Sequence, residues 1–263
     1  MLAEPPVRII FAIISQGHNT PAFRNFRLNL TYFIISAAIV LNTKFFQGGI
    51  AMPTDYAAQA LSILRDPSQF QWYVIPLLLV VIYIYNVEIG KKNWSIVFAG
   101  LALWGMDWFN EIWNALVFHF TNYAPVWGAP AGDTAFLILI GLNIEITMMF
   151  AIMGIAAAHS LPADKHMKIL GLPNRVVFAV GYSIAAVIIE IILNLAGALT
   201  WEYAWWSASA PWLIFLIGYL PFFAVSFWVH DMESTRKQAL TVAAILGFDL
   251  LCLLIFGGVL DWI

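Results

Sequence analysis

The chain has 263 residues, of which 62% are hydrophobic and 10% charged, against about 25% charged in soluble domains. Its mean hydropathy of +0.84 is more than one globular core of this length can hide, so most of the apolar surface has to face lipid. The net charge of −3 offers no basic stripe for nucleic acid, and the single Cys252 can form no internal disulfide.

The predicted elements follow in chain order. Residues 1–25 hold a short apolar stretch, Ile9 to Ile14, behind Pro5, Pro6 and Arg8. It is too short to span and has no small-residue cleavage pattern after it, so it reads as an interfacial helix and not a signal peptide. Seven runs are then long enough to cross a bilayer, which needs about 20 helical residues. They cover 28–47, 70–90, 94–119, 133–159, 174–199, 210–230 and 238–261. Backbone groups in lipid must be satisfied within the segment, so these runs are expected to be helices. Asp133 and Thr134 are candidates to cap the fourth, and Pro76 and Pro221 fall inside spans, where they should kink the helix. The fold expected is all-α: one polytopic membrane bundle over 1–263, with no internal repeat and no second domain.

Orientation follows from Lys and Arg. With the N-terminus inside, ten of these residues fall on the cytoplasmic side and two, Lys44 and Arg65, on the other. That bias favours N-in, C-out, with the cytoplasmic membrane of a bacterium as the expected location. The outer loops at 120–132 and 200–209 carry no Lys or Arg and are rich in rings: Tyr123, Trp127, Trp201, Tyr203, Trp205 and Trp206. Such rings fit an aromatic belt at the headgroups, or a lid over an outward-facing cavity.

Ionisable groups inside spans are costly and are functional candidates by default. Asp107, Glu111 and Asn114 recur at helical spacing on one face of the third span. Asn143, Glu145 and Thr147 lie in the fourth, and Glu190 and Asn194 belong to a polar stripe in the fifth. Asp249 is alone in the seventh. At about 1.5 Å per residue, Asp107 and Glu145 lie roughly 21 Å from the cytoplasmic ends, Glu111 and Glu190 roughly 26 Å, and Asp249 roughly 18 Å. No Lys or Arg shares that depth. Like charges in a low dielectric cannot all ionise, so some of these acids are expected to carry protons at neutral pH. A neutral acid beside an ionised one is the arrangement used in general acid–base chemistry. Interhelical hydrogen-bond glue is the competing explanation, and Asp249, without polar neighbours at helical spacing, fits it best.

Histidine is scarce at this depth. His119 ends the third span, and a small metal site with Asp107 and Glu111 is conceivable on spacing alone. The Glu-x-x-His pairs of carboxylate-bridged metal bundles are absent, so neither a metal nor a cofactor is expected. The segment Trp104-Gly-Met-Asp107-Trp108-Phe-Asn-Glu111-Ile-Trp113-Asn114 places acids among indoles, whose faces attract cations. An acid able to protonate an alkene, beside rings that shelter the carbocation, is a coherent catalytic design.

On this segment, with Asn110-Glu111-Ile-Trp113 at its centre and Phe227-Trp228-Val229-His230-Asp231 in the sixth span, the chain resembles the small seven-helix integral membrane terpene cyclases of meroterpenoid and indole-diterpene pathways. Those enzymes have a second acid in a late helix, for which Asp249 is only a partial counterpart. The likeness covers two short segments and implies proton-initiated isoprenoid chemistry. Bacterial tetrahymanol synthases, which protonate a hopene, expand its ring and add water, are similar in kind. The resulting expectation is acid-catalysed cyclisation, rearrangement or hydration of a lipid-soluble isoprenoid. Asp107 or Glu111 would act as proton donor, with Glu145 and Glu190 tuning or accepting protons. Trp104, Trp108, Trp113, Asn114, Asn143 and Asn194 would line the substrate. A proton-coupled transporter and a non-catalytic membrane subunit are the alternatives.

Overall fold

The computed structural model describes residues 52–130, 134 and 136–263. The chain divides into a unit over Met1–Phe46, outside the described residues, and a unit over Gln47–Ile263, which holds every element below. The expected interfacial segment 1–25 and first span 28–47 therefore lie outside the described residues, as does Asp133.

The described chain is mainly helical: α1 (Asp55–Ile63), α2 (Val74–Gly90), α3 (Trp94–Thr121), α4 (Ile144–His159), α5 (Asn174–Leu195), α6 (Pro211–His230) and α7 (Thr235–Val259). Two small antiparallel hairpins interrupt it, β1 (Leu137–Leu139) with β2 (Leu142–Asn143), and β3 (Lys168–Ile169) with β4 (Leu172–Pro173). Among the described residues, α5, α6 and α7 are long and apolar enough to cross a membrane, and α2 and α4 are shorter apolar helices. Helix α3 is the longest at 28 residues, and more than half of them are buried. It is the hub of the bundle, packing on α4, α6 and α7.

Small residues let α3 and α4 approach closely. A Cβ on Gly154 would stand 2.8 Å from the Cα and from the carbonyl oxygen of Gly100, so this crossing is open only to glycine. Beside it, Leu103, Met106, Phe150, Phe222, Phe223 and Phe227 form the core between α3, α4 and α6.

Four local features depart from the hydropathy reading. The linker after residue 48 contains α1, whose first turn is capped by Thr54 Oγ1 accepting from Ala57 N at 3.2 Å. The fourth span begins at Ile144 instead of residue 133, because residues 137–143 form the first hairpin. Its Leu137, Leu139, Ile140 and Leu142 are buried in protein, which is the setting in which apolar chain can leave the helix without stranding backbone groups in lipid. Asn143, not Thr134, caps α4, with Oδ1 accepting from Ile146 N at 2.8 Å. Pro76 sits in the first turn of α2, where a missing N–H costs nothing. Pro221 does distort its helix: residues Ile214–Tyr219 form a π turn. Proline has no N–H for the carbonyl four residues back, and that carbonyl, of Ile217, accepts instead from Asn110 Nδ2 at 3.4 Å.

At the end of the bundle where α2 meets α3, charges are closely paired. Glu88, 4% exposed, meets Lys91 Nζ at 3.1 Å, His159 Nε2 at 3.1 Å and Asn93 Nδ2 at 2.7 Å. Arg175 binds Asp231 through two 2.8 Å hydrogen bonds and donates a third, also 2.8 Å, to Pro162 O. Burial pushes the Asp231 carboxyl up, but the bonds from Arg175 and His230 outweigh it and hold the group below the usual carboxylate range.

Candidate functional site: an acidic, aromatic cavity

Asp107 and Glu111 are one turn apart on α3, so their side chains leave the same face of the helix. Both are almost fully buried, at 2% and 3% exposure. Glu190 on α5 is buried too, and all three carboxyls line one cavity. The cavity contains about 730 Å³ of atom-free space, its open mouth included. Its other walls are apolar or aromatic: Phe150 of α4, Tyr219 and Phe222 of α6, and Trp127 and Trp206 of the outer loops. No Lys, Arg or His occurs among its described lining residues. Met149 of α4 and Ile189 and Leu193 of α5 line it and are also surface-exposed. As framed by the described residues, it therefore opens sideways between those two helices.

The two indole walls are placed by a chain of hydrogen bonds. Asn114 Oδ1 accepts from Val126 N at 2.6 Å, and its Nδ2 donates to Trp127 O at 2.7 Å, which pins the loop onto α3. Trp127 Nε1 then donates to Glu111 Oε1 at 2.8 Å. Paired bonds between Gly128 and Thr200, at 2.9 and 3.0 Å, tie this loop to the next outer loop. There, Trp201 Nε1 donates to Glu190 Oε1 at 3.0 Å. Trp206 stacks on Trp127 with ring centroids 5.3 Å apart. Of the outer-loop rings, Trp127 and Trp206 cover the cavity as a lid, and Trp127 and Trp201 reach its acids directly.

Gly141, at the tip of the first hairpin, completes the wall. A Cβ there would stand 2.8 Å from Glu111 Oε2 and 2.4 Å from Asn114 Nδ2, so glycine is required for the hairpin to close on the acid. Within this tightly packed wall, Glu111 Oε2 and Asp107 Oδ2 are buried and have no hydrogen-bond partner among the described groups.

The other residues expected at the site are placed elsewhere. Glu145 is half-buried in the first turn of α4 and does not line the cavity. It accepts hydrogen bonds from the Tyr73 hydroxyl and, at 2.9 Å, from Thr134 Oγ1. Asn143 caps α4, and Asn194 Nδ2 donates to Leu199 O at 3.0 Å, closing the C-terminal turn of α5. Trp104 and Trp108 both donate to Thr147 Oγ1, at 2.8 and 2.9 Å, and so brace α3 against α4. Trp113 lies behind the lid, its ring 5.9 Å from Trp127 and 6.5 Å from Trp206. His119 stacks on Trp262 at 4.8 Å. Among the described residues no three His, Cys, Asp or Glu side chains are grouped to hold a metal ion.

Asp249 is closer to the site than its sequence neighbourhood indicated. It is 4% exposed with neither oxygen partnered among the described groups. A Cβ on Gly105 would lie 3.5 Å from its Oδ2, so this carboxyl faces α3 two residues from Asp107. Tyr219 and Asn110 line the cavity without being among the site residues expected from sequence, and so do Trp127 and Trp206, which the sequence offers only as belt or lid rings. The outer-loop tryptophans carried a signal in their clustering, whereas Tyr219 depends on the π turn.

A family model described as "Uncharacterized membrane protein family" matches residues 54–258. The chain belongs to that family. It is 65% identical over 212 residues to an "Uncharacterized protein" of Archaeoglobus fulgidus, covering 81% of this chain and all of that one. A second such protein of the same organism is 66% identical over 53 residues, covering 20% of this chain and 95% of the relative. No solved structure matches. The chain is thus an integral membrane protein, and the relatives named here are archaeal, not bacterial.

Proposed function

We propose that this protein is a membrane enzyme for acid-catalysed cyclisation, rearrangement or hydration of an apolar isoprenoid lipid. The observation that carries the reading is the convergence of Asp107, Glu111 and Glu190 on one aromatic cavity. The protein would sit in the cytoplasmic membrane with seven spans, α2 to α7 and the segment 28–47, in the N-in orientation that the Lys and Arg bias favours.

In this mechanism the substrate enters from lipid through the opening between α4 and α5. Asp107 or Glu111 transfers its proton to an alkene carbon, forming a C–H bond and leaving a carbocation on the neighbouring carbon. The faces of Trp127, Trp206, Phe150 and Phe222 stabilise that charge by cation–π attraction. The reaction ends when the cation loses a proton to Glu190, regenerating an alkene. In the hydration variant, water adds and its surplus proton goes to the same carboxylate. Glu190 suits the role of base because the Trp201 indole donates to it. Proton return from Glu190 to the donor closes the cycle, so the chemistry is redox-neutral and needs no cofactor.

The test is to express the protein with candidate polyprenyl and triterpenoid lipids, hopene among them, and analyse the extracted membranes by mass spectrometry. A new isomer or hydrate is expected with the native protein and not with an Asp107→Asn, Glu111→Gln double variant. Unchanged lipids, or full conversion by the double variant, would overturn the proposal.

A proton-coupled transporter is the second reading, favoured by Asp249, which extends the group of acids beyond the cavity to a third helix. Proton uptake into proteoliposomes without lipid conversion would favour it.

A further inference from the structure

We infer that the cavity is a binding site for lipophilic organic monocations, such as an alkylammonium or arylphosphonium ion, whether or not it performs a reaction. The inference rests on the cavity used in the proposed function and not on turnover.

The charge of the ligand follows from the donors and acceptors on the wall. Three carboxyls line the cavity, and no cationic side chain among the described lining residues accompanies them. Like charges packed this closely leave at least one carboxyl neutral, and the negative charge that remains on the others favours a cation in the cavity over an anion. Glu111 and Glu190 each already receive one indole N–H, which holds both in fixed positions.

The size and softness of the ligand follow from the rest of the wall. Trp127 and Trp206 stack, at 5.3 Å, into one continuous aromatic panel beside the acids, and Phe150 and Phe222 close the other side at 5.7 Å from each other. A panel of this kind favours a cation that is large, weakly hydrated and apolar in outline. An alkali ion would need its water replaced by oxygen atoms, and a divalent metal would need grouped ligands that the described residues do not provide. The sideways opening past Ile189 and Leu193 admits a ligand already dissolved in the bilayer. A carbocation formed in the cavity and a stable ammonium ion present the same charge to the same rings, so a stable cation should occupy the site and compete with any lipid substrate.

The experiment uses the full-length protein in nanodiscs of zwitterionic lipid, with empty nanodiscs subtracted. Dodecyltrimethylammonium and tetraphenylphosphonium are titrated against tetraphenylborate and neutral dodecanol, with tryptophan fluorescence and calorimetry as readouts. Saturable binding of both cations at a stoichiometry near one is expected, with at least tenfold weaker binding of the anion and the alcohol. Glu111→Gln and Asp107→Asn should each weaken cation binding at least tenfold. Trp127→Phe, which keeps a ring and removes the bond to Glu111, should weaken it less. A melting curve for each variant identifies loss of fold, and the comparison among the four ligands on the native protein stands without any variant. Equal binding of phosphonium and borate, or no saturable binding of either cation, would overturn the inference. Lipid conversion without cation binding would remove this inference and leave the enzyme proposal intact. Cation binding without lipid conversion would do the reverse.

Discussion

Two regions of the bundle bury carboxylates, and they treat them differently. At one end, Glu88 is held by Lys91, His159 and Asn93, and Asp231 by both arms of Arg175. Around the middle of α3, Asp107, Glu111 and Asp249 have oxygens that meet no donor among the described groups. The first region is built for stability: each carboxylate is compensated by a cation and an N–H. The second gives up stability, since unpartnered buried oxygens are unfavourable, and it does so where an apolar cavity opens. Sites that persist in an unfavourable state are where function is to be sought.

The largest effect that separates the two regions is on turnover. If the middle acids do the chemistry, Asp107→Asn with Glu111→Gln should lower conversion of an accepted lipid by at least about 100-fold. Arg175→Ala should leave the conversion per folded molecule unchanged, as mass spectrometry of extracted lipids would measure.

The stability effects should run in the opposite direction. Arg175→Ala strands Asp231 and removes four hydrogen bonds, to both Asp231 oxygens, Pro162 O and Asn174 Oδ1, and should destabilise by about 2–3 kcal/mol, read as a lower melting temperature in detergent. Gly154→Val forces α3 and α4 apart at their closest point and should cost about 1–3 kcal/mol by overpacking. Asp249→Leu is expected to raise stability by about 1 kcal/mol, because it exchanges an unpartnered buried carboxyl for an apolar side chain of similar size. A lower melting temperature for Asp249→Leu would mean that this carboxyl is satisfied as it stands, and the contrast between the regions would weaken.

The smallest effect is a pH dependence. Asp231 is held below its ordinary value of 3.8, so the stability it contributes is full above that value and is lost as pH falls through the lower folded one. The melting difference between the native protein and Asp231→Asn should therefore be constant from pH 7 down to about pH 5 and shrink on further acidification. A difference that grows toward low pH would contradict this assignment.

Asp107, Glu111 and Glu190 are legible in the sequence alone, because an acid inside an apolar helix is improbable unless something requires it. Glu145 met the same criterion. Its different environment depends on where α4 begins, and hydropathy cannot distinguish a buried hairpin from the start of a helix. Asn143 and Asn194 lie at helix ends and not in the cavity for a related reason: a polar residue near a helix end serves as a cap or as a site according to the position of that end. Tryptophans in the Trp104–Trp113 run share a helix with the acids, but adjacency along α3 puts Trp104 and Trp108 toward Thr147 instead of the cavity.

Taken alone, the sequence determined a helical membrane protein with acids gathered at similar depth, because hydropathy and helical period are properties of neighbouring residues. Tertiary structure decided which acids share a cavity, which rings form its wall, and that a hairpin and a π turn shape it. Those outcomes depend on contacts between residues far apart in the chain, such as Trp127 with Glu111, Trp201 with Glu190, and Gly141 against both Glu111 and Asn114. Local patterning carries no information about such contacts until the helices pack.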